Sequence, residues 1–309
     1  MGEQGLICDW RDQYRGLWGH QPIRLGHQLH KLDLFSVDAL ASLIENYPRE
    51  HFSIIQTNDS TQRRLWREGE LGGLSGREVI KAIRRGRLWL NMRRLNAVDG
   101  RYARLLEQLF DEMRQLTHGF VTLQRGCGLL ISSPRSQVHY HADLPGQALL
   151  QIDGRKRLYL YPAEEPFISR ELLERIAVFD LEVDIPYHGW FDEYARTYDL
   201  EPGQMVYWPI NAPHRVENQD CLNISLTINF LTDPIRRAQI VSLANGLLRH
   251  RFGWQPRSHS IQGPSYWTKA VLQKVLRNSP WIRQARLARK AVEFRLDRAA
   301  PGAVVDLIT

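Results

Sequence analysis

The stretch VHYHADLPGQALLQIDGRKRLYLYP, residues 138–162, decides the reading of this chain, and WPINAPHRVEN, residues 208–218, completes it. On a strand, side chains alternate with period two, so His139, His141 and Asp143 are expected on one face while the segment stays extended. His141 and Asp143 then converge on one ion. His214 must reach the same ion from a distant strand or turn lying opposite in a closed sheet. Two imidazoles and one carboxylate hold one face of a divalent iron and leave the opposite positions open for a cosubstrate and dioxygen. His139 is the competing ligand, since His-x-His is also a metal-binding spacing. A three-histidine, one-glutamate site would need a glutamate soon after His141, where the chain has Ala142, Asp143, Leu144, Pro145 and Gly146. The expected metal and catalytic set is therefore His141, Asp143 and His214, with His139 beside it. The other histidines lack ligand spacing; His188, in PYHGWFDEY, is expected on a loop near the pocket.

Outward from these motifs, residues 118–230 break into short β-rich runs: GFVTLQRG, GLLISS, SQVHYHAD, ALLQID, KRLYLYP, GQMVYWP and LNISLTINF. Asp153-Gly154, Pro202-Gly203 and Asn211-Ala212-Pro213 supply turns between them. Many short strands with such punctuation indicate an antiparallel sandwich or barrel. Segment 163–200 is expected to be more irregular. Residues 1–117 read as mostly helical. SVDALASLIENYP has Ser36 as an N-cap, and GREVIKAIRRG and RYARLLEQLFDEMRQL carry apolar residues at helical spacing. Residues 231–309 return to helix, in PIRRAQIVSLANGLLRHRFG and in PSYWTKAVLQKVLRNSPWIRQARLARKAVEF, with a break near Pro280. Their apolar stripes either cover the core or meet a second copy of the chain.

The bulk numbers narrow the function classes. The chain has 309 residues, enough for a large core in one domain or two, and 43% hydrophobic against 24% charged residues is an ordinary globular balance. No apolar run approaches a bilayer span. The first residues, MGEQGLICDWRDQYRG, lack a secretory pattern. Cys8, Cys127 and Cys221 are too scattered for a disulfide framework or a cysteine zinc site. A cytoplasmic location is the expectation. The net charge of +7 gathers at 63–67, 81–94, 236–257 and 283–295. Such runs attract polyanions, but no zinc-finger or helix-turn-helix pattern accompanies them to favour nucleic acid.

With HADLPGQALLQIDGRKRLYLYP and LEPGQMVYWPINAPHRVENQDCLNISLTINF on the page, the chain resembles the JmjC/cupin-like iron(II)- and 2-oxoglutarate-dependent oxygenases, particularly their asparaginyl-hydroxylase-like branch. The likeness covers residues 141–162 and 200–230 closely and the interval between them loosely. It implies a mainly β fold, a double-stranded β-helix (jelly-roll) core with N- and C-terminal helical regions. It also implies hydroxylation of a C–H bond, with iron(II), 2-oxoglutarate and dioxygen, releasing succinate and carbon dioxide. The family's metal triad falls on His141, Asp143 and His214. Its lysine for the remote carboxylate of 2-oxoglutarate falls on Lys156, and its late-strand asparagine beside the cosubstrate on Asn229. Two positions depart from the pattern: Val138 stands where the family often has threonine, and Gln147 where it often has asparagine. Thr122 is the expected source of a replacement hydroxyl. The implied partner is a protein or peptide substrate. A small natural product, a noncatalytic cupin-like assembly role and a homodimer through the C-terminal helices stand as alternatives or additions.

Overall fold

The structure is a computed structural model and describes residues 5–56, 67–179, 185–280, 282 and 292–307. Its strands are β1 (Ile7–Cys8), β2 (Ile23–His27), β3 (Phe52–Gln56), β4 (Arg67–Glu70), β5 (Leu88–Met92), β6 (Gln124–Ser132), β7 (Gln137–His141), β8 (Gly146–Asp153), β9 (Lys156–Leu160), β10 (Arg196–Leu200), β11 (Gln204–Trp208), β12 (His214–Asn218), β13 (Asn223–Leu231), β14 (Val292–Leu296) and β15 (Val304–Asp306). Its helices are α1 (Tyr14–Leu17), α2 (Val37–Glu45), α3 (Gly76–Arg85), α4 (Leu95–Val98), α5 (Gly100–Thr117), α6 (Arg170–Phe179), α7 (Asp233–Phe252) and α8 (Gly263–Leu276).

Among the described residues the strands form two sheets. The major sheet runs β1-β2-β11-β8-β13-β6-β5-β3-β4-β14-β15 and the minor sheet β10-β9-β12-β7. Strict alternation along β8 divides its side chains. Ala148, Leu150 and Ile152 join the large core beneath α2, α3 and α5, while Leu149 joins a second core shared with Leu158, Leu160, Leu200, Val206 and Val216 of the two sheets. The sheets thus meet face to face, and this inner layer is where the sequence motifs converge.

The helical signals act as their chemistry dictates. Ser36 accepts a hydrogen bond from the Ala39 amide and starts α2. Ser75 and Glu78 exchange both bonds of a capping box at the start of α3. Gly253, at φ 69°, ends α7 in the left-handed region that favours glycine.

The expectation of a mainly β chain is corrected to a mixed α/β fold: a double-sheet core of cupin type carries helices against its outer face and at one end. Residues 1–117 also hold more strand than expected. HFSIIQ and RLWLNM become β3 and β5 and extend the major sheet. Both are largely buried on both faces, so neither shows the alternation that marks a half-buried strand. GFVTLQRG is not a strand of its own: β6 begins only at Gln124 and runs through Ser132. The interval 163–200 holds α6 and β10 besides irregular chain. Most of the basic run at 63–67 and of the last expected helix, 281–294, lies outside the described residues, and the described end of that helix is corrected to strand, β14.

Candidate metal centre

β7 and β12 lie side by side, with His141 directly opposite His214 in the antiparallel register. One step on, Val216 faces Val138, so two residues of β7, His139 and Tyr140, oppose the single Arg215. This is a β-bulge. Its effect shows in the packing. Val138 turns inward against the inter-sheet core, whereas Tyr140 turns outward to Tyr161, Phe167 and Phe191. In a regular strand those two would share a face. The expected alternation of His139, His141 and Asp143 on one face is corrected accordingly: His141 comes to stand with Asp143 and His214 because the strand is irregular.

Asp143 follows in the turn between β7 and β8. Its Oδ2 lies 3.3 Å from His214 Nε2 and 3.9 Å from His141 Nε2. The ligand atoms of His141, Asp143 and His214 all fall within 4.8 Å of one another, and among the described residues they are the group of this kind. His139 is not part of it. His141 Nδ1 donates to the His139 carbonyl at 2.8 Å, and His214 Nδ1 to the Ala212 carbonyl at 3.1 Å. A carbonyl oxygen only accepts, so each bond fixes the proton on Nδ1 and leaves Nε2 with its lone pair facing the shared point. Trp208 packs on the His214 ring at 4.9 Å between centroids and walls that side. Burial works to raise the Asp143 carboxyl, but the neighbouring His214 and His141 rings and Gln147 hold it below the usual carboxylate range. It is ionised where a cation would sit.

Lys156 starts β9 on the same inner face as Leu158 and Leu160 and sits opposite Asn218 in the ladder, four residues from the Leu160–His214 pair. That is about 13 Å along the strand. Its residue is 3% exposed. Among the described residues its ammonium has no hydrogen bond or ion pair, and burial pushes it down to about 7, against a smaller opposing influence from Cys221. Arg157 points the other way and forks onto Asp199 at 2.7 and 2.9 Å. Asn229 and Gln147 are direct neighbours on β13 and β8, and Gly126 lies across β13 from them. A Cβ at Gly126 would stand 2.6 Å from Asn229 Oδ1, so glycine there makes room for the carboxamide.

Thr122 does not join this group. It lies in the loop before β6, and its hydroxyl accepts from Arg125 Nε at 2.7 Å. Arg125 in turn packs over Phe110 of α5, on the outer side of the major sheet. Sequence reasoning missed a polar belt on the inner face. Ser225 Oγ donates to Gln151 Oε1 at 2.7 Å, Gln151 Nε2 to Asn223 Oδ1 at 2.8 Å, and Asn218 Nδ2 to Ser132 Oγ at 2.7 Å. The alternation of polar residues along LNISLTINF was the available signal. His188 packs on Phe191 in an exposed loop, apart from the metal cluster.

The profile of the family described as cupin-like domain matches residues 89–234. No curated protein sequence matches the chain. Among solved structures, the Escherichia coli ribosomal oxygenase YcfD superposes with a TM-score of 0.52 at 17% identity, over 95% of this chain and 75% of that one. A second structure of E. coli YcfD gives 0.51 at 17% identity, over 91% and 71%. YcfD in complex with cobalt and 2-oxoglutarate gives 0.51 at 17% identity, over 96% and 76%. At this level of identity the likeness is one of fold: a cupin-type double-sheet core with flanking helices.

Proposed function

We propose that this protein is an iron(II)- and 2-oxoglutarate-dependent oxygenase that hydroxylates a C–H bond in a protein or peptide. The observation that carries the reading is the pairing of a two-histidine, one-carboxylate cluster with a lone buried ammonium on the same inner face. An uncompensated buried cation is costly, and a buried carboxylate from a bound diacid would offset that cost. The five-carbon diacid and the lysine stem together share the distance between cluster and ladder position. That YcfD is described as a ribosomal oxygenase, and is seen with 2-oxoglutarate, supports the same class and a protein substrate.

His141, Asp143 and His214 would hold the iron on one side, with both imidazoles pre-set by their backbone bonds. Lys156 would neutralise the remote carboxylate of the cosubstrate. Asn229 and Gln147 would flank it, and Trp208 and the inter-sheet leucines would exclude water. Iron(II) with 2-oxoglutarate and dioxygen supplies the two-electron oxidation that places one oxygen atom in the substrate C–H bond and one in succinate, with loss of carbon dioxide. Because Asp143 fills the carboxylate position, a halide has no vacant ligand site there, which favours hydroxylation over halogenation.

In this reading residues 118–230 carry the chemistry, and 1–117 and 231–309 flank it. Asparagine is one target within the class. The three unpaired thiols fit a reducing, cytoplasmic setting. A second copy of the chain is a further partner, since Trp267, Val271 and Val275 stand exposed at one-turn intervals on α8; a monomeric mass in dilute solution rejects it. Among the described residues no helix is long and apolar enough to cross a membrane. The test of the main reading is the visible charge-transfer band of anaerobic iron(II) with 2-oxoglutarate. It should vanish in His141→Ala and weaken in Lys156→Ala. Absence of the band in protein shown to bind iron overturns the assignment.

A further inference from the structure

A cleft of about 540 Å³ opens beside the metal-bearing turn, lined by Leu144, next in sequence to Asp143, and by residues of α7 and α8. Its volume suits a few side chains of a peptide. The turn is held against α6, where Ala142 and Leu144 pack with Leu172, Leu173 and Ile176. α7 packs on α6 in turn, through Leu243 and Leu247 against Val178 and Phe179. The cleft therefore has a fixed position relative to the cluster.

Its polar lining has one sign. Arg236 and Arg277 contribute guanidinium groups, Gln124, Gln239 and Gln273 contribute carboxamides, and among the described residues no carboxylate lines it. Behind it one carboxylate meets two guanidinium groups, so the charge is only partly neutralised. Asp233 is shared between Arg236 and Arg237, and Arg277 has no ion pair among the described residues. Guanidinium forks bind carboxylates in a planar, bidentate manner, and glutamine side chains offer both a donor and an acceptor to a peptide backbone.

We propose that this cleft is a subsite for an acidic side chain, aspartate or glutamate, of the protein substrate, near the residue that reaches the metal. The inference rests on the hydroxylase reading above and adds the substrate's charge to it. Arg277 and Arg236 take the carboxylate, and Gln239 and Gln273 take the flanking amides.

The test is a random peptide library panned against the full-length chain, with the selected peptides fluorescein-labelled and their affinities measured by anisotropy, without turnover. The expected result is enrichment of aspartate or glutamate at a fixed position. Affinity then falls about tenfold in Arg277→Glu or Arg236→Glu. Replacing the peptide acid by lysine restores binding to the reversed variants, which a merely misfolded variant would not show. Selected peptides without an acidic residue, no enrichment at all, affinity indifferent to both charge reversals, or displacement only by an RNA homopolymer overturn the proposal. The charge-transfer band keeps the two readings apart. If it forms while acid preference fails, only the cleft assignment falls; if it fails while acid preference holds, the oxygenase reading falls.

Discussion

Replacing Lys156 with methionine separates the fold's interest from the site's. The ammonium is brought from 10.5 to about 7 by burial. Holding the proton there costs the folded protein about 5 kcal/mol relative to water. At pH below about 7 both folded and unfolded chains carry the proton, and the cost is present in full. Between about 7 and 10.5 the unfolded chain binds more protons than the folded one, so stability rises with pH. Above 10.5 both are neutral and the cost is gone. Lys156→Met, which keeps the volume and removes the charge, is therefore expected to stabilise the ligand-free protein at pH 7 and below, by up to that amount, with the gain fading toward pH 10.5. Binding of 2-oxoglutarate should move the opposite way. The bound diacid needs the protonated lysine, so wild-type affinity falls roughly 25-fold from pH ~6.5 to pH ~8.5, while Lys156→Met binds weakly and without this pH dependence. Urea titration of the ligand-free chain and calorimetric titration of the manganese-loaded protein read both quantities. A methionine variant less stable than wild type at pH 7, together with a wild-type affinity flat across that range, would refute the reasoning.

Three further outcomes follow from the geometry. A divalent cation at a hundredfold excess over its dissociation constant should add about 2.7 kcal/mol to stability. A chelator should reverse this gain and His214→Ala abolish it, as thermal unfolding would show. Gly126→Ala places a methyl group 2.6 Å from Asn229 Oδ1; it should lower 2-oxoglutarate affinity yet leave metal affinity unchanged, and equal losses in both would count against a cosubstrate role for Asn229. Arg249 and His259 flank the buried Glu174 at 3.0 Å each. Arg249→Met is expected to cost about 3 kcal/mol in urea denaturation by stranding that carboxylate, and Glu174→Met in the same chain to restore much of it.

The triad was legible because each ligand sits in a short motif whose spacing survives folding. Lys156 was legible through the resemblance, which sets a lysine on the strand after the His-x-Asp motif; Lys156 stands there between Arg155 and Arg157, and it is buried on the inner face. The bulge was not legible: nothing in VHYHAD marks an extra residue, since bulge position depends on the partner strand, and the sequence leaves His214 open to either a strand or a turn. Thr122 went astray for a related reason. GFVTLQRG has strand-like composition, but its first residues leave the ladder, and Arg125 draws the hydroxyl to the outer side. β3 and β5 were hidden by burial on both faces, which erases the alternation that sequence reading depends on.

The irregular step at His139 and Tyr140 also sets how this fold could lose its chemistry. Lengthening β12 by one residue between His214 and Val216 would restore a regular ladder with β7 and keep the pairing of Val138 and Gln137, but it would set His141 three regular steps from Val138, on the opposite face. The imidazole of His141 would swing to the aromatic exterior, and the metal would lose a ligand without any ligand having been substituted. A metal-binding and a metal-blind version of this core are thus one backbone residue apart. A census of donor residues would not tell them apart, whereas the count of residues between His214 and Val216, set against that between Val138 and His141, would.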